Sequence, residues 1–308
     1  MSSSSADVYE LATLEVQRNV RWRLRRGWQL MIASKIGTVS ALVLLIIVVA
    51  GIFAPMIAPY DPTGITADTL QGPSGRHFFG TDQFGRDMFS RILWGGRLTL
   101  PAGMLGVLIS TAIGVPLGLI AGYSRQSISF LIMRAMDVLL AFPGLLLALV
   151  IVTIIGSGLT SIIIAIGVSF IPVFARLIYG STLSAKELNY VVAAQALGCG
   201  ATRILRCHVL PGVVAQIIVL GSSAIGWAIL TAATLNFLGF GVHLPTAEWG
   251  ADLSQGREWI NVAWWIAAFP GLAITITILA SNYLGDHLAA LLDARMRSGL
   301  EASLTTIE

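Results

Sequence analysis

Residues able to do chemistry are few in this chain, and none is spaced for catalysis. The four histidines, His77, His208, His243 and His287, stand far apart in or beside loops, where solvation or local hydrogen bonding accounts for them. No G-x-S-x-G nucleophile elbow occurs, and no histidine is placed to serve a serine as base. Cys199 and Cys207 lie eight residues apart with no second Cys/His pair at zinc spacing. They read as small residues in a reducing compartment. A phosphate-cradling loop needs a Gly-Lys pair, and the two lysines, in "ASKIG" and "SAKEL", follow serine and alanine. Neither a catalytic site, a metal site nor an ATP site is expected, and the chain binds no cofactor of its own.

Charges inside apolar sequence are the remaining candidates, because ionisable groups in membrane segments mark ion relays or substrate paths. Arg134 and Asp137 stand three apart on one helix face, which predicts an intrahelical ion pair, with gating or coupling as the alternative role. Arg176 lies about two turns from the end of its segment and can snorkel. This is too little for the carboxylate chain of an ion-coupled carrier. The chain reads as a passive pathway driven from outside.

The elements that must position these residues are membrane helices. Of 308 residues, 56% are hydrophobic and 11% charged, against about 25% charged in a soluble domain. Lipid is the natural solvent of such a surface. Six apolar segments have spanning length: 36–58, 98–122, 128–156, 160–183, 211–236 and 262–284. The first is too long for a cleavable signal core. Each is read as a helix, because backbone polar groups in lipid must be satisfied internally. Gly114, Pro116, Pro172, Gly221 and Gly226 within them permit close packing or mild kinks. The expected class is an all-α polytopic membrane protein.

Cations set the orientation. Arg18, Arg21, Arg23, Arg25, Arg26 and Lys35 precede the first segment, which places the N-terminus in the cytoplasm, and six crossings return the C-terminus there. Fourteen of the nineteen cations then lie inside, and Arg76, Arg86, Arg91, Arg97 and Arg257 outside. The organisation is a basic cytoplasmic segment 1–35, a first helix 36–58 and an extracytoplasmic loop 59–97. A five-helix core 98–285 carries a cytoplasmic loop 184–210, and a cytoplasmic tail 286–308 follows. That loop holds a stretch of good helix formers, about 186–197, too short and polar to span. Gly198 and Gly200 end it, and Pro211 suits the first turn of the fifth helix.

Three stretches carry a resemblance. "VAAQALGCGATRILRCHVLP" (Val192 to Pro211) resembles the E-A-A-x-x-x-G-x(9)-I-x-L-P motif of binding-protein-dependent ABC importer permeases, through Ala193, Ala194, Gly198, Leu210 and Pro211. Val192 replaces the glutamate and His208 the isoleucine, so docking by shape and small residues is expected in place of charge. "FGTDQFGRDMFSRILWGGRLTL" resembles the C-type dipeptide/oligopeptide permeases, with Gly80, Thr81, Asp82, Gly85, Arg86, Asp87, Ser90 and Arg91 in the matching positions. The stretch from Leu235 to Ile260, continuing to Arg295, is similar to the same subunit's last third.

The resemblance implies a type I ABC importer permease fold of six helices in a prokaryotic inner membrane. It also implies a homologous B-type permease partner, two ATPase subunits that bind ATP and Mg, and an extracytoplasmic solute-binding protein. Membrane lipid surrounds such a subunit, and nucleic acid has no part. Di- or oligopeptides are the expected cargo, with nickel, glutathione or another small solute as the alternative. For "GTDQFGRD" two roles are open: a loop folded on itself, with Asp82 and Asp87 paired to Arg86, Arg91 or Arg97, or contact with the binding protein. The acidic, Trp-bearing "HLPTAEWGADLSQGREW" is open likewise, between interfacial anchoring and docking.

Overall fold

The computed structural model describes residues 35–243 and 245–304. Apart from Lys35, the basic N-terminal segment lies outside these residues, as do the last four residues of the tail. Among the described residues every regular element is a helix, beside one isolated bridge between Thr81 and Asp87. They are α1 (Lys35–Ile52), α2 (Ala54–Ile57), α3 (Met88–Tyr123), α4 (Gln126–Leu140), α5 (Gly144–Ile155), α6 (Leu159–Ala185) and α7 (Asn189–Ala196). After these come α8 (Ala201–Ile204), a π turn (Leu205–Val209), α9 (Leu210–Phe237), α10 (Trp249–Glu258) and α11 (Trp265–Leu304).

Four helical stretches are long and apolar enough to cross a membrane, and five if a bent pair counts as one. The bent pair corrects the expected span 128–156. Its halves, α4 and α5, meet at 90° across Ala141 to Pro143. Pro143 offers no N–H and disfavours helical backbone at Phe142 before it, so the helix stops and restarts in a new direction. The expected first span also stops early, because α1 ends at Ile52 and Pro55 opens the short α2. The second begins early: α3 starts at Met88, ten residues inside the predicted loop.

The centre of the bundle is the α3–α6 pair. Ala102, Gly106, Ser110, Gly114, Gly118 and Gly122 recur every fourth residue along α3, all buried. This period lays a smooth stripe down one helix face. A Cβ built at Gly114 would sit 2.7 Å from Phe174 Cβ, and one at Gly118 2.5 Å from the Ala175 carbonyl oxygen. The backbones therefore touch along the stripe, which is how helices associate in lipid, where burial of apolar surface supplies no drive. Ser110 Oγ donates to the Gly167 carbonyl across the seam at 2.8 Å. Large side chains then fill outward from it: Ile162, Ile166, Phe174 and Ile178 of α6 are fully buried.

The bundle has two distinct ends. At one, the start of α3, the end of α9 and the start of α11 surround α10 and the 59–87 loop. At the other, Tyr123, Ala185, α7 and Leu210 come together. Gly37 lies against the His287 ring, so the start of α1 and the far part of α11 share that second end.

Candidate functional site

At the first end the glycine–Asp–Arg motif forms a buried ionic knot. Asp82 Oδ1 accepts the Phe84 and Arg86 amides at 2.8 and 2.9 Å, and its Oδ2 accepts Arg86 Nε at 2.5 Å. Gly85 makes this loop possible with φ of +73°, and a Cβ there would lie 2.3 Å from the Thr66 carbonyl oxygen. Gly80 packs equally closely on Gln71 and Trp265. Thr81 Oγ1 donates to the Asp68 carbonyl at 2.6 Å, and Trp265 Nε1 donates to the Thr81 carbonyl at 3.0 Å.

Asp87 caps α3 by accepting the Ser90 amide at 2.8 Å and hydroxyl at 2.7 Å, and its other oxygen meets His77 Nδ1 at 2.9 Å. A side chain in this place satisfies helix amides that have no partner within the helix. Of the expected pairs, then, Asp82–Arg86 forms. Asp87 turns to His77 and Ser90, and Arg97 lies exposed over the Trp94 ring at 4.8 Å.

Arg91 is the centre of the knot and is 0% exposed. Its Nε donates to Asp252 of α10 at 3.0 Å and Nη2 to the same oxygen. The carbonyls of Pro62 (2.8 Å), Pro245 (3.1 Å) and Thr246 (3.3 Å) take the rest. All five guanidinium N–H groups are thereby used. Arg86 reaches Gln255 at 2.9 Å, and Trp249 Nε1 donates to the Ile92 carbonyl at 2.8 Å. Glu248 caps α10 through the Ala251 amide at 2.8 Å and meets Thr99 Oγ1 at 2.6 Å.

Burial pushes the Glu248 carboxyl up to about 7, with Asp252 adding to the rise. Burial pushes Asp252 up as well, against the pull of Arg91 and Arg86. Most of the motif's polar groups bond internally, so the motif fastens loop 59–87 to α3 and α10. His77, Glu248, Asp252 and Gln255 are knot members that the motif alone does not name. For Glu248 and Asp252 the signal is the acid excess of the segment 243–259, which matches arginines a loop away.

At the other end, α7 lies across the bundle. Val191 and Ala194 are buried with Ile204 and Val209 in the main core, whereas Val192, Ala193, Gln195 and Leu197 point outward, Leu197 85% exposed. The helix is shorter than expected, at Asn189–Ala196. Gly198 ends it with φ of +79° and open space about its Cα, so backbone conformation and not crowding requires glycine there. Tyr190 OH donates to the His208 carbonyl and Gln195 Nε2 to Tyr123 OH, at 3.4 and 3.3 Å. Pro211 sits in the first turn of α9, as expected, and the helical path continues into it from Ala201 through the π turn. Leu210 donates its amide to the Leu205 carbonyl, five residues back, and this wider turn accommodates the proline ring that follows. Leu210 packs on the core and Pro211 is exposed.

Within the bundle, Asp137 pairs with Arg176 of α6 and not with Arg134. A neighbouring helix presents a guanidinium to it more directly than its own helix does.

The chain is similar to known transport proteins. The family model of the binding-protein-dependent transport system inner membrane component matches residues 114–298, and that of the N-terminal TM domain of oligopeptide transport permease C matches residues 22–73. The glutathione transport system permease protein GsiD of Pectobacterium atrosepticum is 43% identical over 292 residues, covering 94% of this chain and 97% of its own length. The di/tripeptide transport system permease protein DppC of Pseudomonas aeruginosa is 40% identical over 282 residues, covering 89% and 93%. Among solved structures, the MetNI methionine ABC transporter in inward facing conformation matches with a TM-score of 0.54 at 16% identity, over 66% of this chain and 97% of that one. The chain therefore belongs to the binding-protein-dependent transport system inner membrane component family, as an inner-membrane permease subunit of an ABC importer.

Proposed function

We propose that this subunit forms, with a homologous permease, the path for short peptides delivered by an extracytoplasmic solute-binding protein, and that two ATPase subunits drive it. ATP and Mg are bound by those ATPases, and this chain binds no cofactor. Six crossings with both termini cytoplasmic complete the reading, counting α1 and the bent α4–α5 pair as one crossing each. In its support, the start of α1, α7 and the far part of α11 lie at one end of the bundle.

The observation that carries the reading is α7. A short helix is clamped to the core by Val191 and Ala194 and offers Val192, Ala193 and Leu197 outward, the form of a helix that docks in another protein's groove. Ala194, Gly198, Leu210 and Pro211 hold its placement. The unbroken helix from Ala201 into the membrane then transmits a push on α7. Glutathione as cargo fits as well as other short peptides, since relatives named for each are similar to this chain at 43% and 40%.

The test is Leu197→Asp, which changes no internal contact. In vesicles holding the whole transporter, ATP-driven uptake and co-purification of the ATPases should both fall. Unchanged yield and uptake would remove α7 from the coupling role, and uptake by this chain alone under an ion gradient would end the ABC reading.

A further inference from the structure

Arg134, Asp137 and Arg176 lie on helix faces at a depth where lipid accepts charge only at a cost. Arg134 lies eight residues from the start of α4 and Arg176 nine from the end of α6. At about 1.5 Å per residue both stand roughly 12–14 Å inside the bundle from the α7 end. Nonetheless the Asp137 and Arg176 side chains are 43% and 55% exposed. Arg134 is exposed and makes no hydrogen bond or ion pair among the described residues. Charges at membrane depth face a bundle interior or a water-filled path, so the face of α4 and α6 that carries them lines one or the other.

Its shape agrees with a path. Arg134 and Asp137 share a polar concavity of about 270 Å³ with Gln126, Ser129 and Tyr179. Arg176 belongs to the wall of a larger one, about 580 Å³, with Ser181, Tyr190 and Gln216. The Asp137–Arg176 pair joins the two. Two guanidiniums against one carboxylate leave one positive charge over, on the group without a partner. A planar guanidinium binds a carboxylate through two parallel hydrogen bonds, and Asp137, three residues along the same face, meets Arg176 through Oδ1 and has Oδ2 left to take an ammonium.

We propose that these residues form a charged way-station in the translocation path, which holds zwitterionic solutes with a free carboxylate on Arg134 and their ammonium on Asp137. This rests on the peptide-permease reading above.

The test uses the assembled transporter in vesicles. On a Cys199→Ser, Cys207→Ser background, Arg134→Cys should react with a charged, membrane-impermeant methanethiosulfonate, and Leu108→Cys on the apolar face of α3 should not. With ATP and the binding protein, Arg134→Gln should lower uptake of trialanine and of glutathione about tenfold or more, the worth of one charge-assisted hydrogen bond. Arg134→Lys should retain most of it. No labelling at 134 means that a partner carboxylate or lipid covers the arginine, and overturns the proposal. So does full uptake by Arg134→Gln, or equal loss in Arg134→Lys, which marks a structural role. Failure of the peptide reading looks different: wild-type vesicles then take up neither probe, while the labelling contrast still decides whether this face lines water.

Discussion

Replacing Arg91 by methionine tests the ionic knot at its centre. The substitution keeps side-chain length and apolar stem but removes the charge. Asp252 is then left buried without its main counter-charge, and the carbonyls of Pro62, Pro245 and Thr246 lose their donor. Breaking a buried pair from one side costs about 3–5 kcal/mol. With an unfolding entropy of about 2.1 cal/mol/K per residue, that is a fall in Tm of ~5 °C or more. Thermal unfolding in nanodiscs, followed by tryptophan fluorescence, reads it, because Trp249 and Trp265 both pack in this region. Arg91→Lys should recover only part, since three donors on a flexible stem cannot replace five in a planar fork. The double variant Arg91→Met, Asp252→Leu should be more stable than Arg91→Met alone, because no uncompensated charge remains. The loss in the single variant should also shrink as pH falls and Asp252 takes a proton. A single variant as stable as wild type would refute the knot, as would additive effects in the double.

Two further perturbations follow from the same structure. Glu248 has its carboxyl raised from 4.5 to about 7, so the folded state binds the extra proton and stability falls as pH rises between those values, by about 3 kcal/mol in all. Glu248→Gln, which can still meet Thr99 and Ala251, should flatten the Tm–pH profile over that window; an unchanged slope would mean the group does not titrate there. Gly118→Leu should cost about 3 kcal/mol or block assembly of the bundle, because the new side chain meets the Ala175 backbone. Gly221→Ala, with open space about its Cα, is the control and should be neutral in the same unfolding measurement.

Composition and local order determined a good deal here. An 11% charged chain has no way to coat itself for water, so membrane residence and helices follow from solvation and backbone pairing alone. The approximate positions of the apolar segments follow too, and the motifs carried the family. The period-four stripe of small residues on α3 and the proline at the α4–α5 break are local signals as well, but reading 128–156 as one helix passed over the break. Partners were not. Arg91 finds Asp252 161 residues away, and Asp137 finds Arg176 across two helices instead of Arg134 one turn off. Whether the conspicuous G-T-D-x-x-G-R-D run faces inward or outward was likewise undecided by spacing. Charge pairing depends on which groups share a few ångströms of low-dielectric space, and only the packing of α3, α6, α10 and their loops brings those groups together.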